Sequence, residues 1–178
     1  MNYHLIKKDD MLNGEGLRVT VFLSGCNHRC YNCQNPETWD IHSGKLFDEN
    51  SKQELFEQLA KSHISGVTFS GGDPLHYHNL QDLHKLILEI KEKFKVNIWI
   101  YTGYTWEEIM FPITFGCMNG NNDWIFTRQK IISECDVLVD GEYNHSLRDE
   151  NYPWAGSTNQ RVIDVQKSIK EKSIVLYK

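Results

Sequence analysis

The chain lacks the features that commit a protein to a membrane, a nucleic acid or an oxidising exterior. No apolar run approaches the ~20 residues that cross a bilayer. The N-terminal stretch MNYHLIKKDD has no apolar core of a secretory leader. Lysine and arginine number 19 against 24 acidic residues, and no basic block interrupts the net charge of −5. Clustered cations are what track a phosphate backbone, so nucleic acid is not expected as the main partner. A cytoplasmic location is expected, where thiols stay reduced. Five cysteines are in any case an odd number for a disulfide framework. Prolines number four, and neither an internal repeat nor a low-complexity linker divides the chain. With 40% hydrophobic and 24% charged residues, the 178 residues are expected to form one folded domain, 1–178.

Apolar runs closed by glycine recur along the chain: RVTVFLSG at 18–25, GVTFSGG at 66–72, VNIWIYTG at 96–103 and DVLVDG at 136–141. Runs of this length suit parallel strands buried on both faces. Helical patterns fall between them. Ser51 and Glu54 have capping-box spacing ahead of Leu55 and Leu59. Leu80, Leu83, Ile87, Ile90 and Phe94 repeat at helical intervals. Thr105 and Glu108 form a second capping box. The alternation predicts an α/β fold with a mainly parallel sheet. The Asn- and Gly-rich stretch 111–129 reads as an insertion, and strands are expected near 162–165 and 174–177.

The distinctive residues cluster where these strands end: Ser24-Gly25-Cys26, Ser70-Gly71-Gly72-Asp73, Thr102-Gly103-Tyr104 and Asp140-Gly141-Glu142. In parallel α/β folds those ends line one edge, where ligands bind. Asp73-Pro74 also has the form of a cap followed by a first-turn proline, so a helix is expected to start there. The eight histidines show no ligand spacing and read as surface or cap residues.

One stretch is denser in chemistry than any other. SGCNHRCYNC, residues 24–33, places Cys26, Cys30 and Cys33 on one loop with C-x₃-C-x₂-C spacing. Closely spaced thiolates wrap a soft metal centre. A closed zinc site takes four ligands, and Cys117 or Cys135 would have to supply the fourth. Cys135 opens an apolar strand and reads as a small buried hydrophobe. A 4Fe–4S cluster needs one outer ligand per iron, so three cysteines leave one iron open, the mark of a catalytic centre.

C-x₃-C-x₂-C after the first strand of a βα fold resembles the radical S-adenosylmethionine superfamily. The ordered series NGEGLR, NPETWD, SGGDPLH, IWIYTGY, VLVDGEY and WAGSTNQRVI narrows the likeness. It resembles the glycyl-radical-enzyme activases, and among them the activating proteins of anaerobic ribonucleoside-triphosphate reductase. The chain departs from related patterns at Asn32, where an aromatic residue often precedes the third cysteine, and at Glu15, where NGPG is common.

The resemblance implies that Cys26, Cys30 and Cys33 hold a 4Fe–4S cluster whose open iron takes the amino and carboxylate groups of S-adenosylmethionine. It places the adenosyl group near the backbone of Asn32, Cys33 and Gln34, and the methionine end at Gly71, Gly72 and Asp73. A glycine without a side chain lets backbone approach a ligand, so a branched residue at Gly72 is expected to block the cofactor and spare the cluster. Thr102 and Asp140 are expected near the ribose or carboxylate. Arg18 and Arg161 read as surface or salt-bridge residues. No side-chain acid or base is implied, so catalysis rests on cluster and cofactor. The implied activity is formation of a glycyl radical on the reductase, with a flavodoxin-type protein as reductant and neither membrane nor nucleic acid involved. A radical enzyme acting on a nucleotide precursor and a zinc module without catalysis are the alternatives. A closed (β/α)₈ barrel takes ~250 residues. The chain supplies about five or six βα units, so a partial, open barrel is expected, accessible to a protein substrate.

Overall fold

The four glycine-closed runs become the parallel centre of a single sheet. In the computed structural model, which describes residues 1–112 and 123–178, they form β2 (Arg18–Leu23), β4 (Gly66–Gly71), β5 (Asn97–Tyr101) and β6 (Val137–Asp140). Three further strands flank them: β1 (Asn2–Asp10), β3 (Lys45–Leu46) and β7 (Arg161–Asp164). The order across the sheet is β3-β1-β2-β4-β5-β6-β7. The β2–β4, β4–β5 and β5–β6 pairings are parallel, and the pairings at both ends are antiparallel. The fold is therefore mixed α/β with an open sheet. Four strands are parallel to one another, fewer than a run of five or six βα units requires, because β1 and β7 return in the opposite direction.

The helices are α1 (Glu49–Leu59), α2 (Leu80–Lys93), α3 (Trp106–Met110), α4 (Asp123–Ser133) and α5 (Val165–Glu171). One sheet face supplies Val19, Val21, Leu23, Val67, Phe69, Ile98, Ile100 and Leu138 to the main core. Leu55, Leu83, Ile87, Ile90 and Ile131 close over that face from α1, α2 and α4. Each such side chain contributes ~1.5–3 kcal/mol when fully buried.

Strand alternation puts Arg18, Thr20, Thr68, Trp99 and Tyr101 on the opposite face. That face is polar at β2 and β4 and apolar at its other end, where Trp99 packs with Val137, Val139 and Val162. Arg18 is fully buried on the polar part. Its guanidinium donates to Thr68 Oγ1 at 2.8 Å, to Asn97 Oδ1 at 2.6 Å and to the carbonyls of Val67 and Glu15. It also lies 5.0 Å above the Trp99 ring. Arg18 is thus a buried fixture and not a surface residue.

Several local expectations change. Helix α1 is capped by Asp48, which accepts from Ser51 N, so Ser51 lies within the first turn and is not the cap. The Thr105–Glu108 capping box is present in full. The chain after Asp73 turns without forming a helix until Leu80. Of the stretch 111–129, residues 113–122 lie outside the described residues, but Asp123–Gln129 form the start of α4. Ile125 is buried there and Arg128 Nε donates to Leu75 O at 2.8 Å, so this part belongs to the core. The segment 174–177 makes one bridge, Ile163 to Leu176, in place of a strand. Among the described residues no helix is long and apolar enough to cross a membrane.

Candidate iron–sulfur and cofactor site

The cysteine loop leaves β2 through Gly25, whose φ of +100° favours glycine. Gly25 N donates to Thr38 O at 2.7 Å and Cys26 N to Trp39 O at 3.0 Å, which pins the loop entrance. The end of β4 is stitched to it: Gly72 N donates to Leu23 O at 2.8 Å and Asp73 N to Gly25 O at 2.7 Å. A Cβ on Gly72 would fall 2.6 Å from Gly25 O and 2.9 Å from Thr38 O. Gly72 is therefore demanded by the chain's own backbone, and a side chain there strikes the cysteine loop first. Within the loop Arg29 and Asn32 take left-handed conformations, with φ of +51° and +53°. Asparagine tolerates that region better than most residues, which accounts for Asn32 without an aromatic at its place.

Cys26, Cys30 and Cys33 are half-buried free thiols that open onto one cavity of about 670 Å³. Gln34, Gly71, Gly72, Asp73 and Thr102 line the same cavity. Strands far apart in sequence thus bring these expected site residues together. Asn32 is exposed outside the lining, and Asp140 borders a neighbouring cleft of about 480 Å³. Asp140 is buried and fully engaged: it accepts from Trp106 N at 2.7 Å and from the Arg161 guanidinium. Arg161 also reaches Glu107, so it joins β7 to α3.

Asp73 is a buried hub and not a helix cap. Its carboxylate accepts from Leu75 N at 2.8 Å, Gly103 N at 3.1 Å and Thr102 Oγ1 at 2.9 Å. The hydroxyl proton of Thr102 is directed at Asp73. The fourth partner is His28 Nε2 at 2.8 Å, while His28 Nδ1 meets Glu142 Oε1 at 2.7 Å. Sequence reasoning passed over His28 as a surface residue. Its place between two cysteines was the available signal, but its partners lie 45 and 114 residues away in the chain.

Comparison with known proteins places this arrangement. A family model described as a 4Fe-4S single cluster domain matches residues 12–163. A protein of Enterobacteria phage T4 is 36% identical over 163 residues, covering 91% of this chain and 93% of its own length. One from Escherichia coli K12 is 34% identical over 165 residues, covering 91% and 97%. One from Pasteurella multocida is 34% identical, covering 90% and 95%. All three are named anaerobic ribonucleoside-triphosphate reductase-activating protein. The chain belongs to this family.

The donor set fits the 4Fe–4S cluster of the activating-protein family. Three thiols face one cavity, although among the described residues no three His, Cys, Asp or Glu side chains are already gathered closely enough to hold a metal ion. Burial and the Asp73 charge push the Cys26 thiol up to about 11. Burial and the Glu142 charge raise Cys30 as well. Both therefore carry protons at neutral pH in the metal-free chain, and a cluster held by them would take them as thiolates, with release of those protons. Burial opposes a charged His28, but hydrogen bonds and charges from Asp73 and Glu142 prevail and move it up to about 9. His28 is thus a cation between two carboxylates at neutral pH.

Proposed function

We propose that this chain activates an anaerobic ribonucleotide reductase by reductive cleavage of S-adenosylmethionine at a 4Fe–4S cluster, the deoxyadenosyl fragment taking hydrogen from a glycine of the reductase. The observation that carries this reading is the meeting of Cys26, Cys30 and Cys33 with the Gly71–Asp73 turn around one cavity. The family membership supplies the class of partner.

In this reading Cys26, Cys30 and Cys33 hold the cluster. Backbone of Gly71 and Gly72 receives the methionine end, and Asp73 holds that turn by its bonds to Thr102 and Gly103. Gln34 and the backbone of Cys33, both in the cavity lining, face the adenosyl end, and Asn32 shapes that turn from outside the lining. Thr102 sets Asp73 from within the cavity lining, and Asp140 sets the start of α3 from the neighbouring cleft. The protein orients the reactants and excludes water; the difficult chemistry is the cofactor's. The open sheet is read as a partial barrel whose mouth admits a loop of another protein. Exposed Met11 and Leu12 at the cavity border suit such a partner. A flavodoxin-type reductant and a cytoplasmic location complete the proposal.

The test mixes reduced protein, S-adenosylmethionine and reductase without oxygen. An organic-radical EPR doublet is expected only with all three present. Deuterating the reductase glycine Cα collapses it and places deuterium in 5′-deoxyadenosine. A doublet without reductase, or no deuterium transfer, would favour a small-molecule radical enzyme.

A further inference from the structure

His28 sits between Cys26 and Cys30 with both ring nitrogens engaged, one on buried Asp73 and the other on exposed Glu142. The ring packs edge-on against Tyr104, with centroids 4.6 Å apart and planes at 73°. Gly103 lies against it so closely that a Cβ there would fall 2.5 Å from His28 Cδ2. Tyr104 is held in turn by the Arg128 guanidinium, 3.8 Å from its ring centroid. Side chains and backbone from the ends of β4, β5 and β6 thus surround one ring of the cysteine loop. Besides this ring, the middle of the loop is held by side chains at its rim: Arg29 lies 6.0 Å from the Trp39 ring centroid, and Tyr31 packs edge-on against His145 at 5.8 Å. Among the described residues, the backbone of 27–32 makes no backbone–backbone hydrogen bond outside the loop.

The two carboxylates play unequal parts. Glu142 has a side chain 60% exposed, so its bond is open to water and contributes little fixed geometry. Asp73 is held by Thr102, Gly103 N and Leu75 N, and it directly follows Gly71 and Gly72. A bond from the cysteine loop to Asp73 therefore links the thiols to the glycine turn through one rigid carboxylate.

We infer that His28 is a positioning residue, tying the cysteine loop to the Gly71–Asp73 turn through Asp73 and so fixing the spacing between the cluster site and the cofactor site. The inference rests on the cofactor assignment proposed above. His28 itself donates no metal ligand and touches no reacting atom.

The experiment uses His28→Ala, His28→Gln and His28→Asn. A Gln amide nitrogen mimics His Nε2 and can keep the Asp73 bond; an Asn amide nitrogen mimics Nδ1 and can keep only the Glu142 bond. In cluster-free protein, alkylation of Cys26 and Cys30 is followed by mass spectrometry. It is expected to speed up by about tenfold in His28→Ala and His28→Asn, the scale of one lost charge-assisted hydrogen bond, and by much less in His28→Gln. In reconstituted protein all three variants are expected to hold a full iron complement. The EPR change on titration with S-adenosylmethionine is expected to need about tenfold more cofactor in Ala and Asn, with Gln close to wild type. Wild-type behaviour of His28→Ala in both measurements overturns the inference. So does rescue by Asn equal to that by Gln, which would assign the role to Glu142. A His28→Gln protein that does not fold overturns it too, since the ring would then serve the fold itself. If wild-type protein shows no response to S-adenosylmethionine, the functional proposal fails, while the alkylation rates still decide whether His28 ties the loop.

Discussion

A Cβ on Gly72 would fall 2.6 Å from the carbonyl oxygen of Gly25, so the end of β4 and the entrance of the cysteine loop meet backbone to backbone. Gly72→Val is therefore expected to lose iron as well as cofactor binding, in contrast to the sequence-based expectation that the cluster is spared. Overpacking at such a site costs ~1–3 kcal/mol, and each kcal/mol lowers Tm by about 2–4 °C in a chain of this size. Iron analysis after anaerobic reconstitution and a thermal melt check both. A full cluster with an unchanged Tm would show that the two backbones can part without consequence.

Replacing Cys26, Cys30 or Cys33 by Ala is expected to abolish an oxygen-labile 4Fe–4S cluster, one per chain. Cys135→Ala keeps it, because that thiol is wholly buried and donates to Ile131 O at 3.1 Å, far from the cavity lining. Its loss is felt as stability alone. Cys117 lies outside the described residues, and Cys117→Ala is likewise expected to retain the cluster. Stoichiometric zinc and no iron in anaerobically prepared protein would sink the assignment.

Asp10 is a buried anchor for the loop at the cavity border. Burial raises its carboxyl, but Leu12 N, Thr20 Oγ1, Asn13 Nδ2 and Lys7 outweigh burial and hold it below the usual value of 3.8. A depressed folded value means stability that is present above the unfolded value and lost as pH falls through the folded one. Asp10→Asn is thus expected to be ~1–3 kcal/mol less stable at neutral pH, with the gap closing below about pH 4. Urea unfolding across that range is the measurement. An equal gap at all pH values would mean that Asp10 contributes shape and not charge.

Exchanging the stretch 111–129 for a short linker is expected to yield insoluble protein, because Ile125 and Arg128 are buried in α4. Arg128→Met isolates the polar part. It removes the bond to Leu75 O and the guanidinium over Tyr104, at a cost of ~1–3 kcal/mol. Expression trials and melts decide; a soluble linker variant with a full cluster would make the stretch dispensable.

The parallel centre was legible because buried strands in such folds need continuous apolar runs, and the glycines that close them mark the edge where the site forms. The cysteine spacing was legible because metal chelation by one loop is a local matter. β1 was not: Tyr3, Ile6 and Asp10 are buried among mostly polar residues, and a half-polar strand carries no apolar run. Asp73 misled because its sequence neighbours suit a helix cap, while its partners Thr102, Gly103 and His28 come from other strand ends and another loop. Arg18 misled in the same way. An arginine among apolar residues reads as an interruption until Thr68, Asn97 and Trp99 are seen to enclose it. What the sequence concealed was pairing across the sheet.

The bond between His28 and Glu142 spans 114 residues, and that span sets an order of events during synthesis. Chains grow at about 5–20 residues per second. The loop residue His28 therefore exists for roughly 6–23 seconds before residue 142 is made. For most of that interval β6 does not yet exist, and until Glu142 is made the loop cannot be enclosed on that side. Iron delivered to the nascent chain meets three thiols on an unfinished cradle, whereas iron delivered to the released chain meets the assembled one. The topology that gathers the site from four strand ends thus completes the cradle only once residue 142 has been made.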